Sequence, residues 1–272
     1  MQNENTENPI AKQEAGLNDS ALVKKQYGKP DNLSTRILIH RKYSTNRQGF
    51  GNWITSQYRI LKGMSVLELG CGTGEMWTGK RDLIRNCSRF VLSDLSEGML
   101  AKTKETLSGF ENIEYHIIDI QDIPFPDRHF DIVIANMMLY HVPDLLRGLR
   151  EVRRVLKSDG TFYCATFGEN GMMEYLCSLF AEDRIQNQVN HSFTLQNGEE
   201  KLHSVFSEVR KLLYRDALEV TDLEDMVDYI CSLAGLSDLR KLPRQRIRSV
   251  LEKNMRDGVL HVPKEYGMFI AR

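Results

Sequence analysis

Val66-Leu67-Glu68-Leu69-Gly70-Cys71-Gly72-Thr73-Gly74 reads as a buried strand running straight into a glycine-rich turn. Val66, Leu67 and Leu69 supply the near-continuous apolar run of a central parallel strand. Glycines at alternate positions let the backbone turn tightly and approach a bound molecule with no Cβ between them. The spacing predicts a helix opening at Glu75 and running past Leu83, its N-terminal amides facing that molecule. Twenty residues past Gly74, the apolar run Phe90-Val91-Leu92-Ser93 ends at Asp94. An acid at the tip of a second strand is where a ribose diol is held.

Outward from this pair, strand and helix patterns alternate over 65–69, 75–85, 89–93, 97–108, 113–118, 131–135, 143–157 and 160–167. Leu145, Leu146, Leu149, Val152, Val155 and Leu156 form one apolar stripe of helical period, with Pro143 in the first turn. This alternation predicts an α/β fold with a parallel sheet covered by helices on both faces. Beyond Phe167 the rhythm changes. A helical stretch of mixed polarity precedes the strand-like 209–215, and Thr221-Asp222-Leu223-Glu224 reads as a capping box for a helix ended by Gly235. A charged helix follows over 238–256, and 259–271 reads as a terminal hairpin whose last strand joins the sheet. On the other side, 1–28 is polar and without periodicity, while 32–43 and 50–61 read as helices. The expected organisation is a flexible N-terminus (1–28), a helical lid (29–62), a ligand-binding α/β core (63–167), a helical cap insert (168–205) and the C-terminal part of the core (206–272).

Charge and composition remove several classes. With 36 basic against 37 acidic residues, the net charge of −1 exerts no general pull on nucleic acid or anionic membrane. No apolar run approaches the roughly 20 residues that span a bilayer, and Met1–Pro9 lacks the apolar core of a secretory signal. The five cysteines form no C-x-x-C pair and read as reduced thiols, so a cytoplasmic setting is expected and a metal site is not.

The turn reads G-x-G-x-G after an acid, not the G-x-G-x-x-G of dinucleotide binders. In this it resembles motif I of the class I S-adenosylmethionine-dependent methyltransferases, type 11/25-like. Further segments carry the resemblance in order: Asp94-Leu95-Ser96-Glu97-Gly98-Met99-Leu100, Asp119-Ile120-Gln121-Asp122-Ile123-Pro124-Phe125, Phe130-Asp131-Ile132-Val133-Ile134, and Arg154-Val155-Leu156-Lys157-Ser158-Asp159-Gly160. In the last, Asp159 stands where the family pattern has glycine, a turn position that Asp also suits. The resemblance covers roughly 60–168 and implies the fold, a doubly wound, mostly parallel, seven-stranded α/β sheet. It implies S-adenosylmethionine as cofactor, held by Gly70, Cys71, Gly72, Thr73 and Gly74, with Asp94 and the neighbouring Leu95 and Met99 at the ribose. It places Asp119 at the adenine amine with the Ile120 and Gln121 backbone beside it, and Asn136 at the wall of the methionine pocket. For Glu68 it implies a role orienting the glycine turn or contacting the methionine amine. Relatives also carry a histidine at the point of His141, a packed residue or a general base.

His40-Arg41-Lys42-Tyr43-Ser44-Thr45-Asn46, followed by Gly49-Phe50-Gly51-Asn52-Trp53, interleaves polar and aromatic residues. It reads either as a surface linker or as a mobile lid with Tyr43 near the methyl group. The expected reaction is SN2 methyl transfer to a small-molecule acceptor, with His141 and Tyr43 as catalytic candidates. Two rivals stand beside it. One is an RNA or protein methyltransferase using the basic face of Arg240, Arg244 and Arg248; the other is a non-catalytic cofactor binder. Oligomeric state is not encoded in any of these patterns.

Overall fold

The structure is a computed structural model that describes residues 38–185, 187–233 and 238–272. The expectations for 1–28, for the start of the first helix and for Gly235 lie outside the described residues. A helical stretch at 38–43 leads to α1 (Phe50–Gln57). Then follow β1 (Ser65–Leu69), α2 (Arg81–Arg85), β2 (Arg89–Asp94), α3 (Glu97–Thr106), β3 (Glu114–Ile117), β4 (Phe130–Ile134), α4 (Leu145–Val155) and β5 (Leu156–Phe167). The remainder is α5 (Met172–Leu179), α6 (Gly198–His203), β6 (Val209–Val220), α7 (Leu223–Ser232), α8 (Arg244–Lys253) and β7 (Leu260–Ala271).

The seven strands form one sheet in the order β3-β2-β1-β4-β5-β7-β6. Strands β1 to β5 are parallel, and β7 runs antiparallel to both β5 and β6. Every residue of β1 is buried, as a strand covered on both faces requires. On one face pack Leu67, Leu69, Val91, Val133 and Phe162; on the other, Val66, Phe90, Leu92, Ile132 and Trp77. Ion pairs lock the N-terminal ends of the strands. Arg89 forks onto Glu114 at 2.6–2.7 Å, and Lys157 meets Asp131, which also accepts from Ser65 N–H at 2.8 Å. The opposite, C-terminal ends are where open α/β sheets receive ligands.

Local details depart from expectation. The helix predicted over 75–85 is a 3-10 turn at Glu75–Trp77 followed by the short α2, because Gly79 takes φ 77° between them. Asp144 caps α4 by accepting from Arg147 N–H at 3.0 Å, which leaves Pro143 ahead of the helix and not in its first turn, and Leu146 of the expected stripe is 40% exposed. Asp222 rather than Thr221 caps α7, accepting from Glu224 N–H. The expected hairpin over 259–271 is a single strand, β7, paired along its length with β6 from Val220↔Leu260 to Val209↔Ala271. Only a bridge between Arg256 and Val259 turns the chain there.

The apolar clusters also divide the chain differently. The distal halves of β6 and β7 leave the sheet core and gather α5, α7, α8 and the 38–43 helix into a cluster of their own, with Ile39, Leu176, Phe180, Leu218, Met226, Ile247 and Val262. The cap is therefore built largely from 206–272, expected as core, and not from the 168–205 insert alone.

The cofactor crevice and the cavity beside it

Leaving β1, the backbone turns with φ 72° at Gly70 and 59° at Gly72. A Cβ on Gly70 would stand 2.9 Å from the Met138 side chain, while one on Gly72 would meet nothing within 4 Å. Backbone conformation thus calls for glycine at both positions, packing adds to it at Gly70, and the turn's surface stays open at Gly72. Gly72 N–H donates to Asp94 Oδ2 at 2.9 Å, and Ser96 N–H to Asp94 Oδ1 at 2.8 Å. Thr103 of α3 donates to the Gly72 carbonyl at 2.6 Å. Asp94 therefore ties the glycine turn to the start of α3, with Leu95 half-buried beside it and Met99 buried in the first turn. Each carboxylate oxygen keeps a further lone pair for a hydroxyl donor. Burial pushes the Asp94 carboxyl up, and the amides of Ser96 and Gly72 oppose that. Cys71 is half-buried, its Sγ 3.5 Å from Thr103 Oγ1, and burial drives its thiol far above the range of a nucleophile. Thr73 lies half-buried in the same turn.

Glu68 is 2% exposed and accepts from the indole N–H of the fully buried Trp77. Burial pushes its carboxyl up to about 7, against the pull of Trp77 and Asn136. Asn136, just past β4, donates to Tyr58 Oη at 2.7 Å, and its Oδ1 is buried with no partner among the described residues. A carboxylate and an unpaired amide oxygen side by side suit a cationic donor such as an amino acid ammonium. After β3, Asp119 accepts from Gln121 N–H at 2.9 Å; the Gln121 side chain reaches back to Asp119 and also accepts from Asp144 N–H at 3.0 Å. Ile120 is buried between them. The loop is thereby fastened to the first turn of α4.

Past Asn136, Met137 takes φ 54°, a conformation that side chains with a Cβ rarely adopt. That turn opens a cavity of about 320 Å³. Met137, Tyr140, His141, Phe167, Met172, Met173, Tyr229 and Tyr266 supply its apolar and aromatic wall, with His40, Glu169, Asn190, His191 and Glu265 among the polar lining. Burial lowers His141 to about 4, so it is a neutral imidazole at pH 7.

Tyr43 does not line this cavity. It is buried in the cap cluster, and its hydroxyl donates to Asp225 Oδ2 at 2.5 Å. The lid expectation needs correction with it. Ser44 bridges to Leu218, Asn46 N–H and Ser44 Oγ donate to Asp216, and Asp216 forms an ion pair with Lys264 whose side chains are 0% and 3% exposed. Phe50 and Trp53 stack on Tyr214, with Phe50 also on Tyr266. The segment is stitched to the β6–β7 pair. Its contributions to the site are Tyr58, beneath Asn136, and His40. In the sequence His40 heads the segment read as a linker or lid and Tyr58 falls in the 50–61 helix, with no site role indicated for either, nor for Tyr229, Tyr266 or Glu265, since long-range pairing brings them in. The basic face of α8 is answered by acids: Arg244 by Glu224 and Asp228, Arg248 by Glu224, and Arg246 by Asp183. Among the described residues no group of three or more His, Cys, Asp or Glu could hold a metal, and no helix is long and apolar enough to cross a membrane.

Residues 67–164 match the sequence profile described as a methyltransferase domain. Demethylmenaquinone methyltransferase of Staphylococcus aureus is 35% identical over 105 residues, 39% of this chain and 44% of that protein. The chain thus spans less than half the length of such relatives. Among solved structures, an S-adenosylmethionine-dependent methyltransferase from Aquifex aeolicus superposes with TM-score 0.53 at 13% identity, over 89% of this chain and 98% of that one. The 4+2 cyclase SpnF does so with TM-score 0.53 at 18% identity, over 82% and 79%. At such identities the superpositions speak for the fold alone. The open glycine turn, the free lone pairs of Asp94 and the Glu68–Asn136 pair fit a ribose-bearing amino acid cofactor. Residues 67–164 thus resemble a methyltransferase domain, on a fold shared with solved S-adenosylmethionine-dependent methyltransferases.

Proposed function

We propose that this protein transfers a methyl group to a small organic acceptor held in the cavity that begins at Met137. The observation that carries this reading is position: the cavity opens one residue beyond Asn136, at the end of the crevice where Glu68 and Asn136 lie. Its volume and mostly apolar wall are those of a small-molecule site. Most of the wall, from Phe167 onward and at His40, lies outside the matched domain, so these residues of the chain itself select the acceptor. A small organic acceptor is also what the name of the staphylococcal relative specifies.

In this reading Glu68 and Asn136 hold the amino acid end of the cofactor, and Asp94 holds its ribose. The Asp119–Gln121 loop takes the adenine, while Gly70 to Gly74, Leu95 and Met99 shape the crevice between. S-adenosylmethionine bound there would supply an electrophilic methyl carbon on a sulfonium, open to displacement by an acceptor's lone pair with the carbon–sulfur electron pair left on sulfur. The protein's part is alignment and exclusion of water. Met137, Met172 and Phe167 wall the junction, and holding two reactants in line accounts for most of the acceleration such a displacement needs. His141, neutral and poorly basic, orients an acceptor N–H or O–H by accepting from it. An acceptor proton leaves to solvent after transfer. The five unpaired cysteines fit work in the cytoplasm.

Calorimetry tests the first half of the reading: S-adenosylhomocysteine is expected to bind with a micromolar Kd, about −8 kcal/mol, and NAD is not. Incubation with labelled S-adenosylmethionine and a panel of uncharged ring compounds tests the second. Cofactor binding with no label transferred to any small molecule, but transfer to RNA or protein, would overturn the acceptor class.

A further inference from the structure

Among the described residues that line the cavity, none is a lysine or arginine. Lys264, whose charge acts on His40, is spent on Asp216 and Ser44. The two carboxylates of the wall are tied into the cap: Glu265 accepts from Asn170 N–H at 2.7 Å and from Gln196 at 2.8 Å, and Glu169 from Thr194 at 2.7 Å. A carboxylate or phosphate entering this space would meet Glu169 and Glu265 and, among the described lining residues, no lysine or arginine to answer its charge.

His40 also lines this wall. Its ring is held edge-on between Tyr229, at 6.0 Å, and Tyr266, at 6.3 Å. Its Nδ1 is buried and has no hydrogen-bond partner among the described residues. Leaving such a nitrogen unsatisfied costs about 1–3 kcal/mol, a cost removed when a ligand supplies the partner. Burial, with Lys264 nearby and Asp216 opposing it only weakly, lowers His40 to about 3 and keeps the ring neutral. The charged and titratable groups around it are Lys264 and Tyr266 from β7, Asp216 from β6 and Tyr229 from α7.

We propose that the acceptor is an uncharged, hydroxyl-bearing organic molecule and that His40 is the residue that recognises its hydroxyl. This rests on the reading of the cavity as the acceptor site. It makes His40 a positioning residue supplied by the segment ahead of the methyltransferase domain.

Ligand-observed NMR with 2-naphthol, naphthalene and 2-naphthoate, with and without saturating S-adenosylhomocysteine, provides the test. The unsubstituted protein is expected to bind 2-naphthol at least about tenfold more tightly than 2-naphthoate and about fivefold more tightly than naphthalene. In His40→Phe the preference for naphthol over naphthalene is expected to fall to about one while naphthalene still binds, an outcome that general loosening of the cap would not produce. His40→Gln should keep part of the preference. Naphthoate binding as tightly as naphthol, or a preference unchanged in His40→Phe, would overturn the proposal. The charge selectivity is read on the unsubstituted protein and stands even where a variant fails to fold. Failure of S-adenosylhomocysteine to bind, with the naphthol selectivity intact, would sink the methyltransferase reading and leave the cavity's preference in place.

Discussion

The crevice and the cavity lie side by side, yet they are built in opposite ways. The crevice is made of neighbours in the chain: a turn at 70–74, an acid at the end of β2, a loop at 119–122 and an amide at 136, each placed by the strand it follows. The cavity is made of strangers. Residues near 40, 140, 170, 190, 229 and 265 meet only because β6 and β7 pair along twelve registers and carry α5 and α7 with them. A site held by local backbone can be read from a motif, whereas one held by long-range packing cannot.

That contrast can be broken most decisively at Asp216. Removing one partner from a buried ion pair leaves an uncompensated charge, so Asp216→Ala should cost about 3–5 kcal/mol in chemical denaturation. The 44–46 segment should lose its anchor in the same step. A loss below about 1 kcal/mol would mean the cap does not depend on the clamp. S-adenosylhomocysteine affinity in whatever remains folded should change little, since the crevice is locally built.

Glu68 probes the other region. Its carboxyl is raised from 4.5 to about 7 by burial, so its neutral form favours the folded state. That stabilisation is complete below pH 4.5 and is lost as pH climbs through about 7, a swing of roughly 3 kcal/mol. Without cofactor, the stability of the protein relative to Glu68→Gln should therefore fall between pH 5 and 8. A flat difference across that window would show Glu68 to be ionised throughout. Because the ionised form suits an ammonium, S-adenosylmethionine affinity should rise over the same window and lose that rise in Glu68→Gln.

Asp94→Ala removes the acceptor shared by Gly72 N–H and Ser96 N–H together with the ribose partner. Cofactor affinity should drop by roughly 2–3 kcal/mol with circular dichroism unchanged. An unaltered Kd would place the ribose elsewhere. The smallest effect is expected at Tyr43. With its hydroxyl on Asp225, Tyr43→Phe should cost about 1 kcal/mol of stability and leave turnover per folded molecule as it was; a specific fall in turnover would return Tyr43 to the reaction.

The sheet, its mostly parallel sense and the crevice were legible because apolar runs, glycines and acids recur at the strand ends that use them. The helix at 75–85 failed because Gly79, an unremarkable residue in a polar stretch, breaks it. The 259–271 hairpin failed because alternating polarity marks a strand without saying what it pairs with. Tyr43 illustrates the same gap for function: an aromatic hydroxyl near the domain boundary looked available, but Asp225, 182 positions away, had claimed it. His40, three residues earlier in the same singled-out segment, gave no hint of its own role, and only its place in the cavity wall suggests one.

The order of strands has a consequence for how the molecule is made. In the sheet β6 touches only β7, and β7 fills the slot between β5 and β6. On the ribosome, the first five strands and the crevice can assemble as they emerge, while β6 waits with nothing to hold. At about 5–20 residues per second, the stretch from Val220 to Leu260 alone takes roughly two to eight seconds to synthesise. During that interval the apolar side chains of α5 and α7 have no finished core to enter. The nascent chain would gain the crevice before the cavity, and its exposure to aggregation lasts until β7 takes its place in the sheet.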